Sequence, residues 1–174
     1  TFRPEDQLGV LEPIGFFDPL GFMKSRDALW FRRLREAELK HARVAMLAGL
    51  GFFTAHIVRV PGYTDAPEGI VNAITTESEA NVLILVAIFC GQLERKAYGG
   101  SFRWDPKKEA GDFGELQYFG KLWNPKELEA YTVENRLKEL NSGRVAMLAV
   151  AVIIGLEMYT GRPAADVWFP FPVS

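Results

Sequence analysis

The chain has almost nothing with which to build a disulfide or a metal cluster. Cys90 is the single cysteine among 174 residues, and His41 and His56 are the two histidines. One thiol forms no internal disulfide, and three scattered donors do not supply the four ligands of a closed zinc site or the three of a catalytic one. Cys90 lies in an apolar run and reads as a packing residue. Basic excess is missing as well: the net charge is -2, so no surplus of cations exists to neutralise phosphate, and nucleic acid is excluded as a partner. Neither a phosphate-binding loop nor a nucleophile motif is present, which leaves little room for an enzyme. Near Thr1 there is no apolar signal core and no Arg- and Ser-rich transit segment, so the chain reads as processed or trimmed. Finally, no charge-free run reaches the eighteen or so residues that announce a membrane span by hydropathy alone.

What is present is a 48% apolar composition in a length suited to one domain, expected to be residues 1–174. The opening residues to about Lys24 carry Pro4, Pro13, Pro19, Gly9, Gly15 and Gly21, cannot propagate a helix, and should run extended with Ile14, Phe16, Phe17, Leu20 and Phe22 packed on something apolar. A first helix is predicted from about Ser25 to about Arg59, ended by Pro61-Gly62, with Val44 to Val58 free of charge. A turn-rich loop follows. Thr76-Glu77-Ser78-Glu79 reads as a capping box that starts a second helix near Glu77, charge-free from Ala80 to Leu93 and ended by Gly99-Gly100. A long aromatic connection contains Trp104, Phe113, Phe119 and Trp123, with a short capped turn at Asn124-Pro125-Lys126-Glu127. The third helix should span about Thr132 to Thr160, stopped by Gly161 and Pro163, with a tail bearing Trp168, Phe169 and Phe171.

One segment is used twice. Arg43-Val44-Ala45-Met46-Leu47-Ala48 returns unchanged as Arg144-Val145-Ala146-Met147-Leu148-Ala149. Upstream, Glu38-x-x-His41-x-Arg43 answers Glu139-x-x-Ser142-x-Arg144. The acid and the residue three positions on share a helix face, while the arginine five positions from the acid sits well around the barrel. If the two copies cross about a two-fold axis, Glu38 meets Arg144 and Glu139 meets Arg43, and symmetry makes both pairs or neither. Met46 and Met147 read as gap-fillers.

Buried helices of a soluble bundle also give apolar runs of this length, so the placement of charge decides. Of the 20 Lys and Arg residues, grouping by the three helices leaves only Arg59 and Arg162 on one side and all others on the opposite side. Three membrane spans sort cations this way; a soluble bundle has no reason to. A first span running from Glu38 to Arg59 covers roughly 33 Å, enough for a bilayer core. The motif charges then enter the membrane, where an isolated ion costs at least about 2.5 kcal/mol, and they are tolerable only as pairs. Ala42, Ala45 and Gly49 on one helix and Gly143 and Ala146 on the other would let the backbones approach closely enough to form them.

A carboxylate that gives one oxygen to an arginine keeps lone pairs on the other, and an imidazole keeps one nitrogen. So few donors suit several separate metals, each asking one protein ligand because a macrocycle supplies the rest. Chlorophyll magnesium is such a metal, being hard and content with imidazole, carboxylate, amide or water.

These motifs, with Gly15-Phe16-Phe17-Asp18-Pro19-Leu20-Gly21-Phe22 ahead of the first helix, resemble the light-harvesting chlorophyll-binding family from about Ile14 to Gly161. The arm followed by Leu34-Arg35 and the Glu38 motif is most similar to the red-lineage branch, the fucoxanthin chlorophyll a/c and related antenna proteins of algae. The resemblance implies an all-α fold of three transmembrane helices, the first and third crossing as a pseudo-two-fold pair, with long surface loops. It implies a light-harvesting antenna, not an enzyme, in the chloroplast thylakoid membrane with its N-terminus stromal. Its pigments would be chlorophyll a, chlorophyll c and carotenoids (fucoxanthin, diadinoxanthin or a related xanthophyll), and its partners a photosystem core, neighbouring antenna subunits and thylakoid lipids. Carried over by position, Glu38, His41, Glu94 and Glu139 match chlorophyll magnesium ligands, Arg43 and Arg144 their ion-pair partners, and Phe17, Asp18, Pro19 and Leu20 a carotenoid cradle.

Three departures stand out. Ser142 occupies a position where the family usually has Asn or His, so a chlorophyll there is expected to be water-bridged, displaced or missing. The second cradle is degraded to Tyr118-Phe119-Gly120-Lys121-Leu122. No histidine follows the third helix, so a C-terminal amphipathic helix and its ligand should be absent or altered. His56 is a further candidate ligand, the alternative being a packed or interfacial side chain, and Gln92 offers an amide oxygen for ligation, packing or a ring hydrogen bond. Glu94 could instead pair with Arg95 or Lys96. Two other functions stay open: a photoprotective relative that dissipates excitation, and a colourless helical adaptor that uses the repeat for packing alone.

Overall fold

The computed structural model describes residues 2–10, 14–24, 27–57, 69–97, 110–111, 132–164 and 167, without the side chains of 55–57, 70, 78, 79, 96 and 97. Its regular elements are helical: a 3-10 turn at Pro4–Asp6 and four α-helices, α1 (Ala28–Ile57), α2 (Ile70–Thr75), α3 (Glu77–Ala97) and α4 (Val133–Thr160).

The helix starts follow local chemistry. Ahead of α1, the Asp27 carboxylate accepts the Leu29 N–H at 3.0 Å and its carbonyl accepts that of Phe31 at 3.0 Å, so the cap lies two residues beyond the expected Ser25. Ahead of α4, Thr132 accepts the Asn135 N–H on its hydroxyl at 3.3 Å and the Arg136 N–H on its carbonyl at 3.0 Å. Gly161, at φ 66, ends α4 in the left-handed conformation that favours glycine, and its N–H reaches the Glu157 carbonyl at 2.9 Å. The α3 start at Glu77 is as expected. The Thr76 hydroxyl, however, donates to the Asn72 carbonyl at 3.0 Å, fastening α3 to α2; the Glu79 side chain of the expected capping box lies outside the described residues.

Two expectations are corrected. The segment read as a turn-rich loop contains α2, whose six residues are too few to show a hydrophobic period. The opening arm is not simply extended: Pro4 sits in the 3-10 turn, and Asp18 organises a second turn. Its carboxylate accepts the N–H groups of Phe22 at 2.9 Å and Met23 at 2.8 Å, and Gly21 just ahead of them takes φ 70.

The chain divides into two compact units. The first comprises Thr1–Ala42 and Leu93–Gly143. Its core is Met23, Leu39, Ala42 and Leu140, and here α1 and α4 touch: a methyl group on Gly143 would collide with the Ala42 side chain and lie 3.2 Å from its Cα. The Trp30 indole N–H donates to the Phe22 carbonyl at 3.0 Å, tying the arm to α1. The second unit comprises Arg43–Gln92 and Arg144–Ser174, with Phe52, Ile153 and Ala164 as its buried cluster. Leu39 and Leu140, Ala42 and Gly143, and Phe52 and Ile153 are equivalent positions of the two sequence copies.

Much of the apolar surface is unburied. On α4, Val145, Leu148 and Val152 are exposed, as are Val44, Leu47 and Leu50 on α1. On α3 every residue from Asn81 to Cys90 is exposed, so Cys90 is not the packing residue expected of it. Among the described residues one helix, α4, is long and apolar enough to cross a membrane. The expected Asn124-Pro125 turn, the Tyr118 to Leu122 segment and the tail residues Trp168, Phe169 and Phe171 lie outside the described residues.

Candidate functional site

The candidate ligands stand singly, each in its own arrangement. Among the described residues no three of His, Cys, Asp and Glu gather where they could share a metal ion.

His41 is exposed on α1, and its Nδ1 lies 2.7 Å from the Ala37 carbonyl. A carbonyl oxygen only accepts, so Nδ1 carries the proton and a neutral imidazole then keeps its lone pair on Nε2. The backbone bond fixes the ring's tautomer and direction, as such outer bonds do for metal-bound histidines. Val44 and Leu47, 67% and 70% exposed, continue the line of His41 at three-residue steps. Ser142 is likewise exposed and is continued by Val145 and Leu148, 67% and 71% exposed. Each copy thus offers a polar side chain at the head of an apolar stripe.

Glu38 bonds through Oε2 to Arg35 Nη1 at 2.5 Å. Arg35 also donates from Nη2 to the Leu8 carbonyl at 2.7 Å and lies over the Phe31 ring at 5.1 Å, so one guanidinium joins Glu38, the opening arm and the helix. Arg35 was not singled out in the sequence, although its i, i+3 step to Glu38 is a signal. Arg136 holds the same register before Glu139, and none of Arg136, Glu38, Arg43, Glu139 and Arg144 is without an interaction partner.

Glu94, at the far end of α3, bonds to Lys40 of α1, with Nζ to Oε2 at 2.8 Å; the expected alternative partner Lys96 has its side chain outside the described residues. Lys40 is also 3.4 Å from Glu36 Oε1, and Glu36 is buried. Glu139 lines a cavity of about 590 Å³ with Phe2, Leu29, Phe31, Leu39, Leu140, Arg32, Arg35 and Arg136. Gln92 is exposed on α3. The side chain of His56 lies outside the described residues.

In the arm, Phe17 and Leu20 are each 75% exposed, held outward by the turn that Asp18 closes. The Met23 N–H, then those of Phe22 and Gly21 and the charge of Lys24, hold the Asp18 carboxyl below its ordinary value against a smaller opposing effect of desolvation.

One structural anchor of the second unit carries no signal in the sequence. Glu157 of α4 is 3% exposed and accepts the N–H groups of Val71 at 3.0 Å and Ala164 at 3.3 Å, so it gathers α2 and the turn after α4 onto one carboxylate. A lone acid near a helix end carries no sequence signal for this.

The candidate donors stand apart from one another, and those at His41 and Ser142 head exposed apolar stripes. The model of the chlorophyll A-B binding protein family matches residues 4–158, and the chain belongs to that family. It is a light-harvesting antenna protein and not an enzyme. Among its relatives, the chloroplastic fucoxanthin-chlorophyll a-c binding protein E of Macrocystis pyrifera is 32% identical over 169 residues, 91% of this chain and 76% of the relative. Protein E of Phaeodactylum tricornutum is 35% identical over 163 residues, 86% and 77% of the two chains, and protein D of Macrocystis pyrifera is 32% identical over 172 residues, 91% and 89%.

Proposed function

We propose that this antenna protein holds chlorophyll a, chlorophyll c and fucoxanthin, or a related xanthophyll such as diadinoxanthin, as one light-harvesting domain of three spans. Its place is the chloroplast thylakoid membrane, N-terminus stromal, beside a photosystem core, neighbouring antenna subunits and lipid. α1, α3 and α4 are the spans; their exposed apolar residues face lipid and pigment, surroundings in which such surface is stable, whereas patches of this extent are rare on soluble monomers.

The observation that carries the reading is His41. Its lone pair is aimed by the Ala37 bond and it heads an exposed apolar stripe, so it would hold a chlorophyll by its magnesium with apolar surface beside the ring. Glu38, Glu94 and Glu139 are the carboxylate ligands. Gln92 and His56 are further candidates, and Ser142 would act through a bridging water. Bound chlorophyll supplies the absorption of light and the transfer of excitation; the protein supplies ligand, orientation and exclusion of water. Ligands on long helices reproduce pigment spacing in a way that loops do not. Glu38 with Arg144, and Glu139 with Arg43, form the crossed pairs that make these charges tolerable within a membrane. Phe17, Pro19 and Leu20 meet the carotenoid, and Asp18 sets the turn that presents them.

The test is His41→Leu in the pigment-loaded complex. Loss of one chlorophyll with carotenoid retained is the expected result; an unchanged chlorophyll content overturns the ligand reading.

A further inference from the structure

We infer that Lys40 is the countercharge that makes Glu94 usable as a magnesium ligand, an inference that rests on the reading of Glu94 as a chlorophyll ligand. Imidazole and amide ligands are neutral, but a carboxylate brings a full negative charge to a metal already neutralised by its macrocycle. Burying a charge is costly unless it is paired, so a carboxylate ligand in apolar surroundings calls for a cation beside it. The Lys40 ammonium is 2.8 Å from Glu94 Oε2. Among the described residues Glu94 Oε1 has no partner, so one oxygen is neutralised and the other is left to ligate.

Three further observations separate Lys40 from a generic surface pair. First, Lys40 and Glu94 are 54 residues apart and on different helices, so the pair places Glu94 relative to α1. Second, the same ammonium lies 3.4 Å from Glu36 Oε1, whose side chain is 12% exposed, and is nearer to Glu94. Two carboxylates therefore share one cation, and its removal uncovers both. Third, the equivalent position in the second sequence copy is Asn141, which carries no charge. The repeated motif does not require a lysine here; α3 does. Arg95, beside Glu94 in sequence, makes no bond to it among the described residues.

The experiment uses the pigment-loaded complex in mild detergent, with pigment-to-protein ratio by chromatography and the red-region absorption difference spectrum as readouts. Glu94→Leu is expected to lose one chlorophyll. Lys40→Met is expected to lose the same one, with the same difference spectrum, and Lys40→Arg to restore it. Glu94→Gln provides a neutral amide ligand that needs no countercharge, so adding Lys40→Met to it should remove no further pigment. A Glu94→Leu complex with full pigment content overturns the ligand reading itself. Loss in Glu94→Leu but not in Lys40→Met overturns the role of Lys40 alone. So does an equal loss from Lys40→Met with and without Glu94→Gln, which would mark the lysine as merely structural.

Discussion

Gly143 of α4 rests against Ala42 of α1 so closely that a methyl group on the glycine would collide with the alanine side chain. The two are equivalent positions of the sequence repeat, one with a methyl group and one without. Gly143→Ala should therefore destabilise the protein by about 1–2 kcal/mol, overpacking outweighing the roughly 1 kcal/mol that alanine adds to a helix. Combining it with Ala42→Gly moves the methyl to the other helix and should recover most of the loss. Thermal melting of the single and double variants checks this, and additive losses would contradict it.

Arg35 spans Glu38 and the Leu8 carbonyl. Arg35→Met removes both charge-assisted bonds and should cost about 2 kcal/mol while freeing the opening arm to proteolysis. Lysine lacks the planar fork and should repair only one of the two bonds. Limited proteolysis alongside melting distinguishes the three proteins.

Glu157 is 3% exposed and holds two backbone N–H groups. Glu157→Leu leaves both without an acceptor at a cost of about 1–3 kcal/mol each, and Glu157→Gln, which keeps one amide oxygen, should cost less. Hydrogen exchange at the Val71 and Ala164 amides should accelerate in the leucine variant, with α2 loosened and the Ala42 contact unaffected.

Asp18 titrates lower when folded than unfolded because its carboxylate accepts N–H bonds, that of Met23 first. A depressed carboxyl stabilises the fold fully above the ordinary aspartate pKa of about 3.9, and that contribution disappears as pH falls through the lowered folded value. Asp18→Ala should therefore melt below the parent protein at neutral pH, and the gap should close in acid. A gap unchanged down to acid pH would show that the turn does not depend on the charge.

The long helices were legible because each combines an extended apolar run with a stop signal, as at Gly161 of α4. The repeat singled out Glu38 and Glu139 as candidates because residue type and register recur together, and His41 by register alone, its counterpart being Ser142. α2 was not, since six residues show no period and its anchor, Glu157, is distant in sequence. Lys40 and Glu94 were not paired for the same reason: sequence order carries no sign of a contact between helices. Cys90 departs from the expected packing role because an apolar run does not by itself mean burial in protein, and every residue from Asn81 to Cys90 is exposed.

The most direct measurement is an absorption spectrum of the native protein in mild detergent, followed by chromatography of the extracted pigments. Strong red and blue bands, with chlorophyll a, chlorophyll c and a fucoxanthin-type carotenoid in fixed ratio to protein, are the predicted result. A colourless protein that stays soluble without detergent would contradict the pigment scaffold and leave the repeat as a device for packing alone.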